Sequence, residues 1–210
     1  MKSNTIILAE DGELLVKGIG VFNGYLKDQQ PDQRLNKDGY FASGDYAEID
    51  PQNFLRLTGR KSEVFKTSTG RKIAPVEIEA LLHHDFRVEH AIVLGESKKC
   101  LVALITVGAS PSKNEDETIT YAQKIATALA QCVSDLPDYK RPVGVVLCFR
   151  NLSIEHQELT GNLKIRRKTI QQRYSVWIDE LYKALDEAQS AIHYQPLLLD
   201  PEIVLLKLIF

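Results

Sequence analysis

Three short segments of the sequence carry residue types suited to binding a phosphorylated ligand. In the first, Asp45 lies in a predicted loop, ASGDY, and Arg60 follows a short hairpin-like stretch. A carboxylate can accept hydrogen bonds from two neighbouring hydroxyl groups, as a ribose diol presents them, and an arginine can donate to the same sugar. An Asp in a Ser-Gly-Asp turn is more often a turn former, so the spacing alone favours a structural interpretation.

The second segment is KTSTGRK, residues 66 to 72, just before a predicted helix start at Pro75. Small, hydroxylated and glycine residues ahead of a helix N-terminus suit a loop that approaches the backbone or phosphates of a ligand. The glycine spacing and the terminal Gly-Lys-Ser/Thr of a P-loop are missing. Taken alone, the segment is more simply interpreted as a solvated connector.

The third segment is ELTGNLKIRRKTI, residues 158 to 170. Lys164 follows a predicted Gly-Asn turn and precedes a basic helix start, so we expect it on a mobile, exposed segment. From there its ammonium group can bring a point charge to a phosphate. A solvated basic face is the alternative for any run of charges.

The elements that position these segments predict an α+β fold. Strand signals separated by turns fill residues 13 to 66, and a helix of about three turns begins at Pro75. The remaining elements follow from apolar periodicity and form a small mixed unit. They are strands at 91–95 and 101–108, a helix opened by NEDE at 114–117, a strand at 144–149 and a helix from Ile170 to Leu185.

The composition excludes several classes of protein. Of the 210 residues, 44% are apolar and 26% charged, and the formal net charge is −2. Such a balance argues against nucleic-acid binding, including binding through KIRRK, because that needs a basic field. Cys100, Cys132 and Cys148 are odd in number and lie among apolar neighbours, as thiols of a reducing compartment do. We therefore predict a cytoplasmic protein with neither disulfides nor a metal site.

Taken together and in order, four segments resemble the last four signature regions of the adenylate-forming superfamily. Their sequences are most similar to those of long-chain fatty acyl-CoA synthetases. The four segments are GELLVKGIGVFNGYL, DGYFASGDYAEID, FLRLTGRKSEVFKTSTGRKIAPVEIEALL and ELTGNLKIRRK. The resemblance runs from Gly12 to Tyr182. It implies that ATP and Mg²⁺ activate a fatty acid to an acyl-adenylate, and that the acyl group then passes to coenzyme A. A small C-terminal lid domain would rotate on a large N-terminal domain between the two steps.

The resemblance also implies roles for single residues. Asp45 and Arg60 match the pair that binds the ribose, and Ser62 matches the hinge position. Lys164 matches the catalytic lysine that neutralises charge near the α-phosphate. Five residues match the loop that lines the pantetheine tunnel in the thioester step: Ser68, Thr69, Gly70, Arg71 and Lys72.

Three positions depart from the pattern of the resembled family. Ser62 stands where Asp or Lys is usual, which puts the charge interactions of the hinge in question. Thr69 replaces the first of two glycines, so we expect a stiffer loop. Gly161 occupies a place that is often proline, so we expect a looser approach to Lys164.

The family's phosphate loop and adenine motif do not occur in these 210 residues. We therefore expect residues 1–59 to be the end of a large adenylating domain, residues 60–182 to be the lid domain, and residues 183–210 to be an unassigned apolar tail. The chain alone is predicted to be inactive and to bind no cofactor, with the N-terminal adenylating domain as its partner and a fatty acid as substrate.

Two alternatives stay open at this level. The first is a non-catalytic interaction or regulatory module that has kept the lid fold. The second concerns the tail, which ends in LLLDPEIVLLKLIF. Packing of these apolar residues against the protein or a partner is favoured, because exposed apolar patches of this kind are rare, and peripheral membrane contact is the alternative.

Overall fold

The computed structural model describes residues 4–21, 35–108, 114–187, 197–200 and 202–210. The chain forms two compact units, Met1–Phe65 and Lys66–Phe210. Two parts of the sequence discussed above lie outside the described residues. One is FNGYL, at the end of the first motif, and the other is residues 188–196, before the last strands.

The first unit is a four-stranded antiparallel sheet. Its strands lie side by side in chain order, which confirms the strand signals predicted from residue 13 onward. They are β1 (Thr5–Leu8), β2 (Glu13–Lys17), β3 (Phe41–Ile49) and β4 (Leu55–Arg60). Among the described residues of this unit, only two apolar side chains are buried, those of Leu14 and Ala47. Because a sheet becomes stable by burying a face against a second layer, this sheet carries little core of its own.

The second unit is built on a five-stranded mixed sheet with helices on its faces, so the predicted α+β class is confirmed. Two short strands, β5 (Phe65–Lys66) and β6 (Lys72–Ile73), pair at its start. The main elements follow in the order α1 (Pro75–Leu82), β7 (Val88–Leu94), β8 (Leu101–Val107), α2 (Glu115–Cys132), β9 (Pro142–Cys148), α3 (Arg167–Arg173), α4 (Ser175–Glu187), β10 (Leu197–Asp200) and β11 (Ile203–Lys207).

The order of strands in this sheet is β10-β11-β9-β8-β7. Strands β7 and β8 form the predicted antiparallel pair, and β8 runs parallel to β9, with α2 as the crossover between them. One face of the sheet packs on the apolar side chains of α3 and α4. Since side chains alternate along a strand, the opposite face is left for α1 and α2, which contact β7 and β11.

Two helices differ from the sequence prediction. Helix α1 is eight residues long and therefore about two turns rather than three. It ends early because Asp85 folds the next residues into a turn, in which its carboxylate accepts the Arg87 N–H at 3.0 Å. The predicted last helix is two helices, separated at Tyr174, whose φ of −96° and ψ of 9° depart from helical values.

The apolar tail supplies a strand of the main sheet. Strand β11 pairs antiparallel with β9 along its whole length, from Ile203 opposite Cys148 to Lys207 opposite Gly144. Five of its side chains are buried: Ile203, Val204, Leu205, Leu206 and Leu208. The prediction that the tail packs against the protein is confirmed for these residues, which are therefore not available to a membrane surface. None of the helices described in the structure is long and apolar enough to cross a membrane.

Candidate functional site

Asp45 and Arg60 face each other on neighbouring strands. They form a cross-strand pair of β3 and β4, and Arg60 Nη1 lies 2.8 Å from Asp45 Oδ1. The Arg60 side chain is 57% exposed and that of Asp45 is 20% exposed. The structure thus brings the two predicted ribose-binding residues together and presents a carboxylate and a guanidinium side by side.

Asp45 lies in a strand, so the prediction of a loop at ASGDY is wrong. A two-residue step in β2, from Glu13 to Leu15, stands opposite a four-residue step in β3, which makes a bulge of residues 43–45. Gly44 has a φ of +75°, which a glycine adopts without strain, and its N–H donates to Glu13 Oε1 at 3.0 Å. The glycine therefore lets the strand bend at this point and continue through Asp45.

A second group of charges joins this bulge to the residue after Arg60. Lys61 Nζ lies 2.6 Å from Asp11 Oδ2 and 2.7 Å from Glu13 Oε2, and the Lys61 N–H donates to the Gly44 carbonyl at 2.8 Å. These hydrogen bonds raise the pKa of Lys61 and lower that of Asp11. Sequence reasoning missed this group, although a glutamate that opens the apolar strand ELLVK was a visible signal. The network ties β2, the bulge and the end of β4 to one another.

Ser62, the predicted hinge residue, is exposed in the turn that follows β4. The turn is closed by the Glu63 N–H, which donates to the Arg60 carbonyl at 3.0 Å. Ser62 is thus next to the charge network of Lys61 in the chain.

The predicted thioester loop is a compact exposed turn between β5 and β6. The buried Thr67 closes it, because its Oγ1 accepts the Arg71 N–H at 3.2 Å and its own N–H donates to the Arg71 carbonyl at 3.0 Å. Gly70 takes a φ of +80°, whereas Thr69 is not among the residues with positive φ. The Thr69 hydroxyl lies 2.9 Å from the Thr67 hydroxyl. A threonine therefore fits the first of the two usual glycine positions without backbone strain, and its hydroxyl ties the loop together.

Two contacts hold this loop to the rest of the second unit. The Ser68 N–H donates to the Lys98 carbonyl at 3.0 Å, and the guanidinium of Arg71 lies over the ring of Tyr139 at 5.0 Å from its centre. Lys72, the last residue of the predicted loop, begins β6 and is exposed. The loop thus presents an exposed surface on a fixed base.

Lys164 closes a short hairpin. The Thr160 N–H donates to the Lys164 carbonyl at 2.8 Å, and the Leu163 N–H donates to the Thr160 carbonyl at 2.8 Å. Gly161 and Asn162 occupy the centre of the turn, as predicted, and Leu163 follows them with a φ of +58°. The Thr160 hydroxyl also accepts the Lys164 N–H at 3.0 Å. Lys164 is exposed, as predicted, and its backbone N–H and carbonyl each form one hydrogen bond with Thr160.

We predict that Gly161→Pro stabilises the chain by about 0.4–1 kcal/mol, because proline restricts the unfolded chain. The position suits it: Gly161 is the second residue of a four-residue turn, has no positive φ, and a Cβ there meets nothing within 4 Å. The measurement is the urea concentration at the midpoint of unfolding. The slope of the unfolding free energy against urea should stay unchanged. Gly161→Ala is the matched control and should give part of the gain. A lowered midpoint for the proline variant would contradict the turn geometry.

The described residues include no group of three His, Cys, Asp or Glu side chains that could hold a metal ion. Cys100, Cys132 and Cys148 form no disulfide, and Cys148 is buried. The candidate chemistry therefore rests on the Asp45–Arg60 pair, the exposed loop before α1 and the Lys164 hairpin.

Comparison with known proteins places two of these features, the loop before α1 and the Lys164 hairpin, in one known family of domains. Residues 63–186 match the model of the AMP-binding enzyme C-terminal domain, which spans more than half of the chain. The chain belongs to this family. The matched residues contain the loop of residues 68–72, the Lys164 hairpin, and helices α1 and α3, which follow them.

Curated relatives of the C-terminal domain are long-chain-fatty-acid–CoA ligases. The ligase FadD15 of Mycobacterium tuberculosis is 30% identical over 200 residues, covering 85% of this chain and 32% of the relative. Human long-chain-fatty-acid–CoA ligase 1 is 28% identical over 197 residues, covering 83% of this chain and 28% of the relative. The chain thus spans about a third of the length of the curated relatives it matches.

Solved structures show the same fold. The A-PCP didomain of carboxylic acid reductase from Segniliparus rugosus, in complex with AMP, gives a TM-score of 0.70 at 21% identity and covers 90% of this chain and 28% of its own. The o-succinylbenzoate CoA synthetase of Bacillus subtilis, in complex with an acyl-adenylate intermediate, gives a TM-score of 0.58 at 22% identity, with 80% and 34% covered. At sequence identities of 21% and 22%, the similarity to these structures shows the fold alone.

Proposed function

We propose that the chain serves as the C-terminal part of a long-chain fatty acid–CoA ligase. The observation that carries this proposal is the Lys164 hairpin, an exposed lysine on a hydrogen-bonded turn in a domain of the AMP-binding family. The names of the curated relatives support the substrate class. A non-catalytic module with the same fold remains the competing function, and the experiment below separates the two.

In the proposed reaction, an oxygen of the fatty acid carboxylate attacks the α-phosphorus of ATP and pyrophosphate leaves. Lys164 stabilises the negative charge that develops on the reacting groups, as a preorganised cation does. Asp45 accepts hydrogen bonds from the ribose hydroxyls and Arg60 donates to the same sugar. In the second step the sulfur of coenzyme A attacks the acyl carbon and AMP leaves, with residues 68–72 lining the path of the thiol and Ser62 acting as the hinge.

The apolar face of the first unit supports an adenylating domain as partner. Ile49 pairs with Leu55 across β3 and β4, and Leu57 lies two residues farther along the same face. These side chains are 45%, 38% and 59% exposed, respectively. Since a half-exposed apolar sheet face gains stability when a second layer covers it, we propose that this face docks on the N-terminal adenylating domain.

ATP, Mg²⁺ and coenzyme A are the proposed cofactors of the whole enzyme. Among the residues that the structure describes, no group of three His, Cys, Asp or Glu side chains could hold a metal ion, and we propose that Mg²⁺ arrives on the phosphates of ATP. The absence of a disulfide among the three cysteines supports a cytoplasmic location, because disulfides are rare in a reducing compartment.

A chimera tests the proposal. This chain replaces the matching part of the mycobacterial ligase, and the formation of acyl-CoA from palmitate, ATP and coenzyme A is measured. We expect thioester formation that is lost when the chimera carries Lys164→Ala. A folded chimera that binds ATP but forms neither acyl-adenylate nor acyl-CoA would overturn the ligase proposal and favour the non-catalytic module.

A further inference from the structure

We propose that Glu158 is the positioning residue of Lys164: its buried carboxylate fixes the root of the hairpin and so directs the lysine. The proposal deepens the function given above and rests on it, because there Lys164 acts in adenylation. Neither the resemblance nor the comparisons assign a role to Glu158.

The carboxylate of Glu158 is fully buried and fully bonded. Its side chain is 0% exposed, and Arg150 binds it in bidentate fashion, with Nη2 at 2.6 Å from Oε1 and Nη1 at 3.1 Å from Oε2. The Ser153 N–H donates to Oε2 at 3.1 Å, and the Tyr174 hydroxyl donates to Oε1 at 3.2 Å. Burial alone would raise the pKa of Glu158, but the hydrogen bonds from Arg150 and Ser153 outweigh it and hold the pKa below its usual value.

The backbone connects this carboxylate to Lys164 without a break. The Arg166 N–H donates to the Glu158 carbonyl at 2.8 Å, Leu159 forms a bridge with Ile165, and Thr160 pairs with Lys164. Three successive pairs thus make a two-stranded ladder whose first member is Glu158. Any rotation at the root is passed to Lys164 through this ladder.

The returning arm of the hairpin is held as well. Arg167, three residues after Lys164, binds Glu79 of α1 with Nη1 at 2.7 Å from Oε1. Glu79 Oε1 also accepts the Val93 N–H of strand β7 at 2.8 Å. With both arms anchored, the hairpin has a defined direction, as a group that must meet a reacting phosphate needs.

Stability alone does not account for the ion pair at the root. Apolar side chains of equal size commonly replace a buried ion pair at no cost in stability, whereas the pair imposes one geometry. Glu158 bonds to Arg150 at the end of β9, to the turn at Ser153 and to Tyr174 between α3 and α4. The carboxylate is therefore the point at which three elements set the orientation of the hairpin.

The test compares Glu158→Gln with Asp85→Asn in the chimera. Asp85 is the matched control because its side chain is also buried, at 4% exposure, and is paired with Arg87 in a turn distant in sequence from the hairpin. For Glu158→Gln we expect the adenylation kcat, from ATP–pyrophosphate exchange, to fall about tenfold with KM for ATP unchanged. Transfer from a supplied acyl-adenylate to coenzyme A should stay within about twofold, since it does not use Lys164. An equal loss in both half-reactions, or the same loss for Asp85→Asn, would overturn the proposal.

A second measurement does not depend on activity. In the purified chain, amide hydrogen exchange at Thr160, Lys164 and Arg166 should become about tenfold faster in Glu158→Gln and stay unchanged in Asp85→Asn. Tyr174→Phe, which removes one hydrogen bond and keeps the ring, should give a smaller increase. Unchanged amide exchange in both Glu158→Gln and Tyr174→Phe would overturn the positioning role even if the chimera proves inactive. Failure of this proposal and failure of the ligase proposal are therefore distinguishable.

Discussion

Replacing Lys164 by alanine in the chimera is expected to lower the rate of acyl-adenylate formation by about 10²–10³-fold, the usual loss when one preorganised charge-stabilising group is removed. Transfer of a supplied acyl-adenylate to coenzyme A should remain within about twofold, because the proposed role of Lys164 ends when pyrophosphate leaves. The two half-reactions are followed separately by ATP–pyrophosphate exchange and by acyl-CoA formation. Lys164 is exposed and contributes only its side chain to this chemistry, so the fold should be unaffected.

Lys168→Ala is the matched control for this prediction. Lys168 is also exposed and is the second residue of α3, four residues after Lys164, so its removal changes the net charge equally. It should leave both rates unchanged. Lys164→Arg keeps the charge but not the compact ammonium group, and we expect partial activity. Similar losses for Lys164→Ala and Lys168→Ala would mean that general electrostatic attraction, rather than a placed lysine, carries the effect.

The elements that sequence predicted well are those whose pattern is local. Strand β8 is apolar at nearly every position because helices cover both faces, and the acidic residues at the start of α2 mark its N-terminus. Strand β11 was missed although its apolar run is as clear. Its partner, β9, lies more than 50 residues earlier in the chain, so no local pattern tells whether the run pairs, packs on a partner or meets a membrane.

The candidate site also combines features that the local sequence predicts with features that depend on distant segments. The chemistry of Asp45, Arg60 and Lys164 follows from residue type and from the order of the motifs, but their placement depends on pairings between distant segments. Asp45 faces Arg60 because β3 and β4 pair antiparallel with a register shift between Tyr46 and Ala47. The Glu158 network joins a strand end, a turn and a helix junction, and its signal in the sequence is a single glutamate that opens the ELTGNLK segment. Long-range geometry therefore had to come from the structure.

Deleting residues 202–210 is expected to abolish cooperative folding of the second unit. The five buried side chains of this segment are Ile203, Val204, Leu205, Leu206 and Leu208. Burial of an apolar side chain of this size stabilises by about 1.5–3 kcal/mol, so the segment contributes about 8–15 kcal/mol. A whole domain is stable by only about 5–15 kcal/mol. The deletion also leaves the backbone of β9 without its neighbour on one side.

Fluorescence of Trp177 measures this effect in the second unit alone, because it is the single tryptophan of the chain and packs against the core of that unit. The intact chain should show a sigmoidal urea transition that the deletion removes. Deleting only Ile209 and Phe210, which are 83% and 54% exposed, is the matched control and should keep the transition. Leu205→Ala should lower the free energy of unfolding by about 2–5 kcal/mol, as cavity formation in a core does. A cooperative transition that survives the longer deletion would contradict the placement of β11 in the core of the sheet.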